Sequence, residues 1–243
     1  MKILRVCGHT FLADALDQQS VVLDFGMNRG QFSSTAVSLF NCRIFGAEAH
    51  PELHANLPRH PNICARNVAI SGGEGELKLS VYDRHCASVV FQELEDARTQ
   101  SFSVPTTSLG KFLEEAGVER VHLLKCDIEG AELAMFETAS DEEISRIDQI
   151  SIEFHDFLDP SQRGPVTSVF ERLHRLCFWS LDFSKNRMDV LFINQKRIPL
   201  SLTGKALLIA TKYVRAFSRI VGRIVGKQDR GDTGFSLEWA QKP

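Results

Sequence analysis

Short apolar runs of strand length alternate with amphipathic stretches along most of this chain, and that alternation restricts the fold more than any other feature. Residues 21–25, 43–48, 63–70, 121–127 and 149–155 read as strands. Residues 31–40, 51–57, 107–116, 131–138 and 164–176 read as the helices between and after them. Strand and helix in regular succession imply right-handed crossovers and a mostly parallel sheet. The strands are nearly continuous in apolar residues, as expected when helices cover both faces of the sheet.

Two segments break the pattern. Residues 76–82 (ELKLSVY) alternate polar and apolar and predict an additional strand, paired near 63–70, after the glycine-rich turn SGGEG. Residues 178–183 and 188–194 are short apolar runs joined by SKNR, which reads as an antiparallel hairpin with Asn186 at a left-handed turn position. A parallel sheet whose last strand turns back differs from the usual dinucleotide fold.

The turn after the first predicted strand, DFGMNRGQFS, carries Asp24, Gly26, Asn28 and Gly30. Glycine permits a sharp turn and close approach of backbone to ligand, and open α/β sheets bind ligands at the carboxyl ends of their strands. The dinucleotide fingerprint G-x-G-x-x-G is not matched, and Asp24 would repel a pyrophosphate. A ligand with an amine or sulfonium and a bare ribose suits the turn better. Glu48, at the tip of the next strand, is placed to accept hydrogen bonds from ribose hydroxyls. These features together favour S-adenosylmethionine. The structural alternative is a tight turn beside a solvated strand end.

A second constellation follows in LLKCDIEGAE and QISIEFHD. Lys125 and Asp127 share strand parity, as do Glu153 and His155. On neighbouring strands their ends would gather Lys125, Asp127, Glu153 and His155 at one rim, with Glu129 and Glu132 just beyond. Methyl transfer to a hydroxyl requires in-line alignment and a base near neutral pKa, here His155 or a carboxylate raised by burial. Asp127, Glu153 and His155 also offer ligands for a divalent metal, although the spacing selects none. The structural alternative is a salt-bridge network of Lys125, Glu129 and Glu153, with Glu132 an exposed helix residue.

The blocks VVLDFGMNRGQFS, FGAEAHPEL, NVAIS, LLKCDIEGAE and ISIEFH, in that order, resemble the FkbM family of S-adenosylmethionine-dependent methyltransferases. The resemblance spans about residues 21–194. It implies a class I methyltransferase (Rossmann-like) fold: a seven-stranded, mostly parallel sheet with the last strand antiparallel. It also implies that Asp24, Gly26, Asn28 and Gly30 cradle the methionine part, that Glu48 holds the ribose, and that Asn67 lies near the adenine. Family members methylate hydroxyls, often on sugars or natural products. An O-methyltransferase acting on a sugar, glycan or related natural product is therefore the leading expectation. A non-catalytic nucleoside-binding or assembly module, and an NAD-dependent oxidoreductase, are the alternatives.

The expected organisation is a methyltransferase domain over 1–199 and an extension over 200–243. Within the extension, residues 205–227 carry Lys205, Lys212, Arg215, Arg219, Arg223 and Lys227 and no acidic residue. Most of these cations share one helix face, with Val214, Phe217, Val221 and Ile224 opposite. Such a basic amphipathic helix suggests contact with an anionic membrane, or docking on protein. A net charge of −3 gives no global basic field for nucleic acid. The six cysteines form no C-x-x-C pair, which disfavours zinc and fits a reducing, cytoplasmic setting. The start of the chain lacks a secretory-signal pattern, and no uninterrupted apolar run reaches roughly 18 residues.

Overall fold

The structure is a computed structural model that describes residues 1–83, 86–88, 100–157 and 159–224. The chain opens with a hairpin, β1 (Ile3–Val6) and β2 (His9–Leu12), turned by Cys7 and Gly8 at φ 47° and 89°. Alternating elements follow: β3 (Val21–Phe25), α1 (Gln31–Phe40), β4 (Arg43–Ala47), α2 (Pro51–Ala55) and β5 (Ile63–Arg66). A small second sheet comes next, from β6 (Ala69–Ile70), β7 (Gly75–Asp83), β8 (Cys86–Ser88) and β9 (Gln100–Thr107). The main sheet resumes through α3 (Leu109–Ala116), β10 (Leu123–Cys126), α4 (Glu132–Thr138), α5 (Asp141–Ser145) and β11 (Gln149–Ile152). It ends with α6 (Arg163–Arg175), β12 (Phe178–Asp182) and β13 (Val190–Asn194), after which comes α7 (Leu202–Ile224).

The main sheet has seven strands in the order β12-β13-β11-β10-β3-β4-β5. β3, β4, β5, β10 and β11 run parallel, and β13 runs antiparallel to both neighbours. Strand order reverses between β3 and β10, so their carboxyl ends flank a crevice. One face of the sheet packs Leu23, Phe25, Leu124, Ile150 and Phe192 against Phe112, Phe136 and Leu173 of the helices. The other face packs Val22, Ile44 and Leu123 against Phe32 and Val37 of α1 and Phe11 of the hairpin.

Three local expectations are corrected. The run 63–70 is not one strand. β5 stops at Arg66, Asn67 turns its side-chain amide onto the carbonyls of Glu48 (2.8 Å) and Ala49 (3.0 Å), and β6 pairs with β9 instead. Accordingly β7 lies against β9, not against 63–70. The hairpin after α6 is present, but Arg187, not Asn186, is its left-handed residue (φ 58°).

The N-terminal hairpin was not legible as strands in the sequence, and it is held by buried polar contacts. The Leu12 amide donates to Gln149 Oε1 (2.9 Å), and Gln149 Nε2 returns a bond to the Leu12 carbonyl (3.1 Å). Asp189 on the chain leading into β13 accepts from the Thr10 amide (2.8 Å), the Thr10 hydroxyl (2.7 Å) and Arg5 Nε (3.0 Å). A buried carboxylate satisfied in this way fixes the hairpin's position as well as its presence.

Candidate active site

Strand register assembles the site. Asp24 pairs with Lys125 across β3 and β10, and Lys125 pairs with Ser151 across β10 and β11. These three side chains form a row on the face covered by α1 and the hairpin. One step further along the strands, Gly26, Asp127 and Glu153 form the next row, at the carboxyl ends.

The glycine turn leaves β3 with Gly26 at φ 75°, Asn28 at 52° and Gly30 at 72°. Gly26 is required for a second reason: a Cβ there would overlap the Asp127 carbonyl oxygen at the end of β10. The Gly26 and Met27 amides both donate to the Ala47 carbonyl, at 3.0 and 3.2 Å, tying the turn to the tip of β4. Met27 is buried, and its thioether lies where a side chain on Gly46 would sit. The methionine in the turn and the glycine in β4 are therefore complementary in shape.

Glu48, just past β4, is buried rather than a solvated strand end. Its Oε2 accepts from the Asn28 amide (2.6 Å) and its Oε1 from the His50 amide (2.8 Å). Burial pushes its carboxyl above the ordinary range, against the pull of those two amides. Each oxygen retains a second lone pair, so a ribose diol reaching this tip would find two acceptors. Asn67 holds the backbone of Glu48 and Ala49 from beneath. Asp24 lies under the turn, not on its surface. The Ser33 hydroxyl donates to its Oδ2 (2.6 Å), and Lys125 Nζ lies 3.3 Å from its Oδ1.

Lys125 also donates to the carbonyls of Phe25 (3.1 Å) and Gly26, and lies 3.9 Å from Asp127. Burial alone would lower the lysine pKa, but the carboxylates of Asp24 and Asp127 outweigh it and raise it. Asp127 is the converse case. Burial raises its pKa, yet Lys125, His9 and His155 hold it well below the usual carboxylate range. Glu153 has no such dedicated cation. Burial and the repulsion of Asp127 push it up to about 7, with His155 opposing.

His155 is clamped. Its Nδ1 lies 3.1 Å from Glu132 Oε1 and its Nε2 lies 3.2 Å from Glu129 Oε2, with Glu153 Oε1 at 3.8 Å from the same nitrogen. Burial favours the neutral ring, but the two carboxylates prevail and raise the pKa to about 11. Glu132 is buried, unlike an ordinary exposed helix residue, and also accepts from the Ile128 and Gly130 amides, so it closes the turn that carries Glu129 at φ 54°. Arg187 brackets the other side: its carbonyl accepts the Phe154 amide (2.9 Å) and its guanidinium pairs with Asp156 (2.9 Å).

Sequence reasoning missed His9. It is buried on β2, its Nε2 lies 3.7 Å from Asp127 Oδ2, and its Nδ1 has no hydrogen-bond partner among the described residues. Only the hairpin brings it there, and nothing in MKILRVCGHTFL marks a histidine as part of a site more than a hundred residues away. Ligand atoms of His9, Asp127 and Glu153, and of Asp127, Glu129 and His155, fall within 4.8 Å of one another. The ammonium of Lys125 and the protonated His155 already supply positive charge to these acids, so the arrangement fits proton handling better than a divalent metal.

A sheet in this strand order, with one antiparallel member, a glycine turn after its central strand and a buried acid at the tip of the next, defines a class I S-adenosylmethionine-dependent methyltransferase. The chain belongs to the FkbM methyltransferase family: the Methyltransferase FkbM domain matches residues 24–184. Its methyl donor is S-adenosyl-L-methionine, and the oxidoreductase alternative is set aside. The chain is 24% identical over 201 residues to the AMB antimetabolite synthetase AmbE of Pseudomonas aeruginosa, a match covering 66% of this chain and 10% of that protein. It thus spans about a tenth of that relative's length. Among solved structures, it is similar to Aeropyrum pernix fibrillarin with natively bound S-adenosyl-L-methionine (14% identity, 73% of this chain and 66% of that chain, TM-score 0.35). It is also similar to the precorrin-6y C5,15-methyltransferase of Geobacter metallireducens (12% identity, 73% and 80% coverage, TM-score 0.37).

Proposed function

We propose that this chain is an O-methyltransferase that methylates a hydroxyl of a sugar, glycan or related natural product, with Glu153 as the base. The observation that carries this reading is the Glu153 carboxyl, raised to about 7 at the end of β11, beside the end of β10 and the glycine turn. S-adenosyl-L-methionine, when bound, supplies an electrophilic methyl group on a sulfonium. Glu48 accepts the ribose hydroxyls, and the turn over Gly26, Asn28 and Gly30 cradles the methionine part. Glu153 would take the proton of the acceptor hydroxyl as that oxygen accepts the methyl group supplied by the bound donor. A base titrating near 7 is about half ionised at neutral pH and basic enough to assist.

The other members have supporting roles. His155, held charged by Glu129 and Glu132, fixes the segment after β11 and keeps Glu153 from being driven still higher. Lys125 and Asp24 set the turn. Asp127, ionised and half-buried at the end of β10 beside Glu153, would disfavour anionic acceptors there, which favours neutral polyols over phosphate-rich ones. The antimetabolite synthetase relative is compatible with a natural-product acceptor. The acceptor pocket would be bounded by segments 83–90 and 157–165, which lie partly outside the described residues.

The test is radiolabelled methyl transfer from S-adenosylmethionine into a panel of sugars, cell glycans and small natural products, with wild type and Glu153→Gln. Alkali-stable label on a hydroxyl, lost in the variant, is the expected result. Label on nitrogen or carbon, or unchanged turnover in Glu153→Gln, would overturn the reading. Binding of S-adenosylhomocysteine with no transfer to any acceptor would favour a nucleoside-sensing module instead.

A further inference from the structure

Helix α7 meets the domain with one narrow stripe. Leu208 is fully buried among Ile3, Leu12, Phe183, Leu191 and Ile193, and Thr211, one turn on, is buried beside it. Lys205 and Lys212 flank that stripe, half-buried, with Lys205 Nζ 5.9 Å from the centre of the Trp179 ring. The domain therefore covers this stripe, and Lys205 and Lys212 stand at its edge, partly open to solvent.

What the helix turns outward is apolar. Leu202 is 85% exposed, Leu207 39%, Ile209 41% and Tyr213 66%. Large hydrophobes gathered on one exposed helix mark an interaction surface, whereas scattered ones do not. The sequence extends the pattern through the remainder of α7. Phe217, Ile220, Val221 and Ile224 continue its apolar residues, and Arg215, Arg219 and Arg223 its basic ones. Among the described residues, no helix is long and apolar enough to cross a membrane. The helix has the composition of one lying in a membrane interface, apolar on one side and basic on the other.

We propose that the outward face of α7 seats the enzyme on an anionic lipid surface. Charge selects this occupant. Helix α7 holds five basic residues and no acidic one, in a chain whose net charge is −3, so this helix is the element that anionic headgroups attract while the rest of the molecule is repelled. Lysine and arginine stems reach headgroups from the flanks of an inserted helix while its apolar side enters the acyl boundary.

Co-sedimentation of the full chain with phosphatidylcholine vesicles, with and without phosphatidylglycerol, tests this directly. The expected result is binding to the anionic vesicles only, weakened roughly tenfold or more in Leu207→Glu/Ile209→Glu and by raised salt. Both positions are exposed, so the variant should retain its wild-type melting temperature. Should it fail to fold, Lys212→Gln/Arg219→Gln, which leaves the apolar face intact, must show the same weakening. Equal binding to neutral vesicles, no binding to either, or a self-associating chain that the glutamate variant renders monomeric without any vesicle binding would overturn the proposal.

Discussion

Lys125 Nζ lies 3.3 Å from Asp24 Oδ1 on the adjacent strand, with the two residues only 4% and 0% exposed. The ammonium reaches past its partner to the carbonyls of Phe25 and Gly26, the residues at which β3 becomes the glycine turn. One buried cation thus neutralises the acid beneath the turn and fixes the backbone that forms it. Removing either member strands the other charge in the interior, which costs about 3–5 kcal/mol. Lys125→Met is expected to lower the urea-unfolding free energy by about that amount, and Asp24→Asn/Lys125→Met to recover much of it. Losses in Asp24→Asn and Lys125→Met that simply add in the double variant would show that the two charges are not coupled.

Glu153 gives the reaction a pH signature. Its carboxyl is raised from 4.5 to about 7, so the ionised form that accepts a proton grows in as pH climbs through 7. The kcat/KM profile is expected to rise from about pH 6 and level off above about pH 8. Glu153→Gln should lower kcat by about 10²–10⁴-fold and abolish that rise, with S-adenosylhomocysteine affinity unchanged. A flat profile in the wild type would assign proton removal elsewhere.

The His155 clamp predicts an imidazolium that persists in alkali. Its pKa is raised from 6.5 to about 11, so the folded state keeps a proton that the unfolded chain loses above 6.5. The stabilisation is fully present below pH 6.5 and is lost as pH rises through about 11. Nitrogen-15 NMR should show both ring nitrogens protonated at about pH 9. His155→Gln should accordingly destabilise more at about pH 6 than at about pH 10. A neutral-ring signal at about pH 8 would dissolve the clamp.

Close packing around the turn should make it intolerant of small additions. Gly26→Ala would drive a methyl into the Asp127 carbonyl and also strain a positive φ. Loss of S-adenosylhomocysteine binding is expected, together with a lower melting temperature. Met27→Ala instead opens a void over Gly46, and large-to-small changes of this kind cost about 2–5 kcal/mol. Wild-type stability in both variants would contradict the packing described for this turn.

Much of this architecture was legible because its signals are local. The limits of β3 and α1 follow from an apolar run, a glycine turn and a 3.6-residue pattern, and the parity of Lys125, Asp127, Glu153 and His155 foretold their shared rim. The parts that were not legible depend on distant contacts. Residues 63–70 look like one strand until Asn67 spends its amide on the carbonyls of Glu48 and Ala49. Glu132 looks like a surface helix residue until the turn before α4 folds His155 and two amides onto it. His9 enters the site only through a hairpin whose anchors, Gln149 and Asp189, lie far along the chain. Burial and pairing also decided which of two candidate bases, His155 or a raised carboxylate, carries the near-neutral pKa, and parity alone could not.

The central claim is that the turn after β3 and the acid at the tip of β4 together hold the nucleoside of the methyl donor. Calorimetric titration of S-adenosylhomocysteine into the wild-type chain and into Glu48→Ala, each confirmed folded by its melting curve, tests it most directly. One-site binding in the wild type, weakened about ten- to a hundredfold in the variant by the loss of charge-assisted hydrogen bonds, is the predicted result. No binding in the wild type, or equal affinity in the variant, would contradict it.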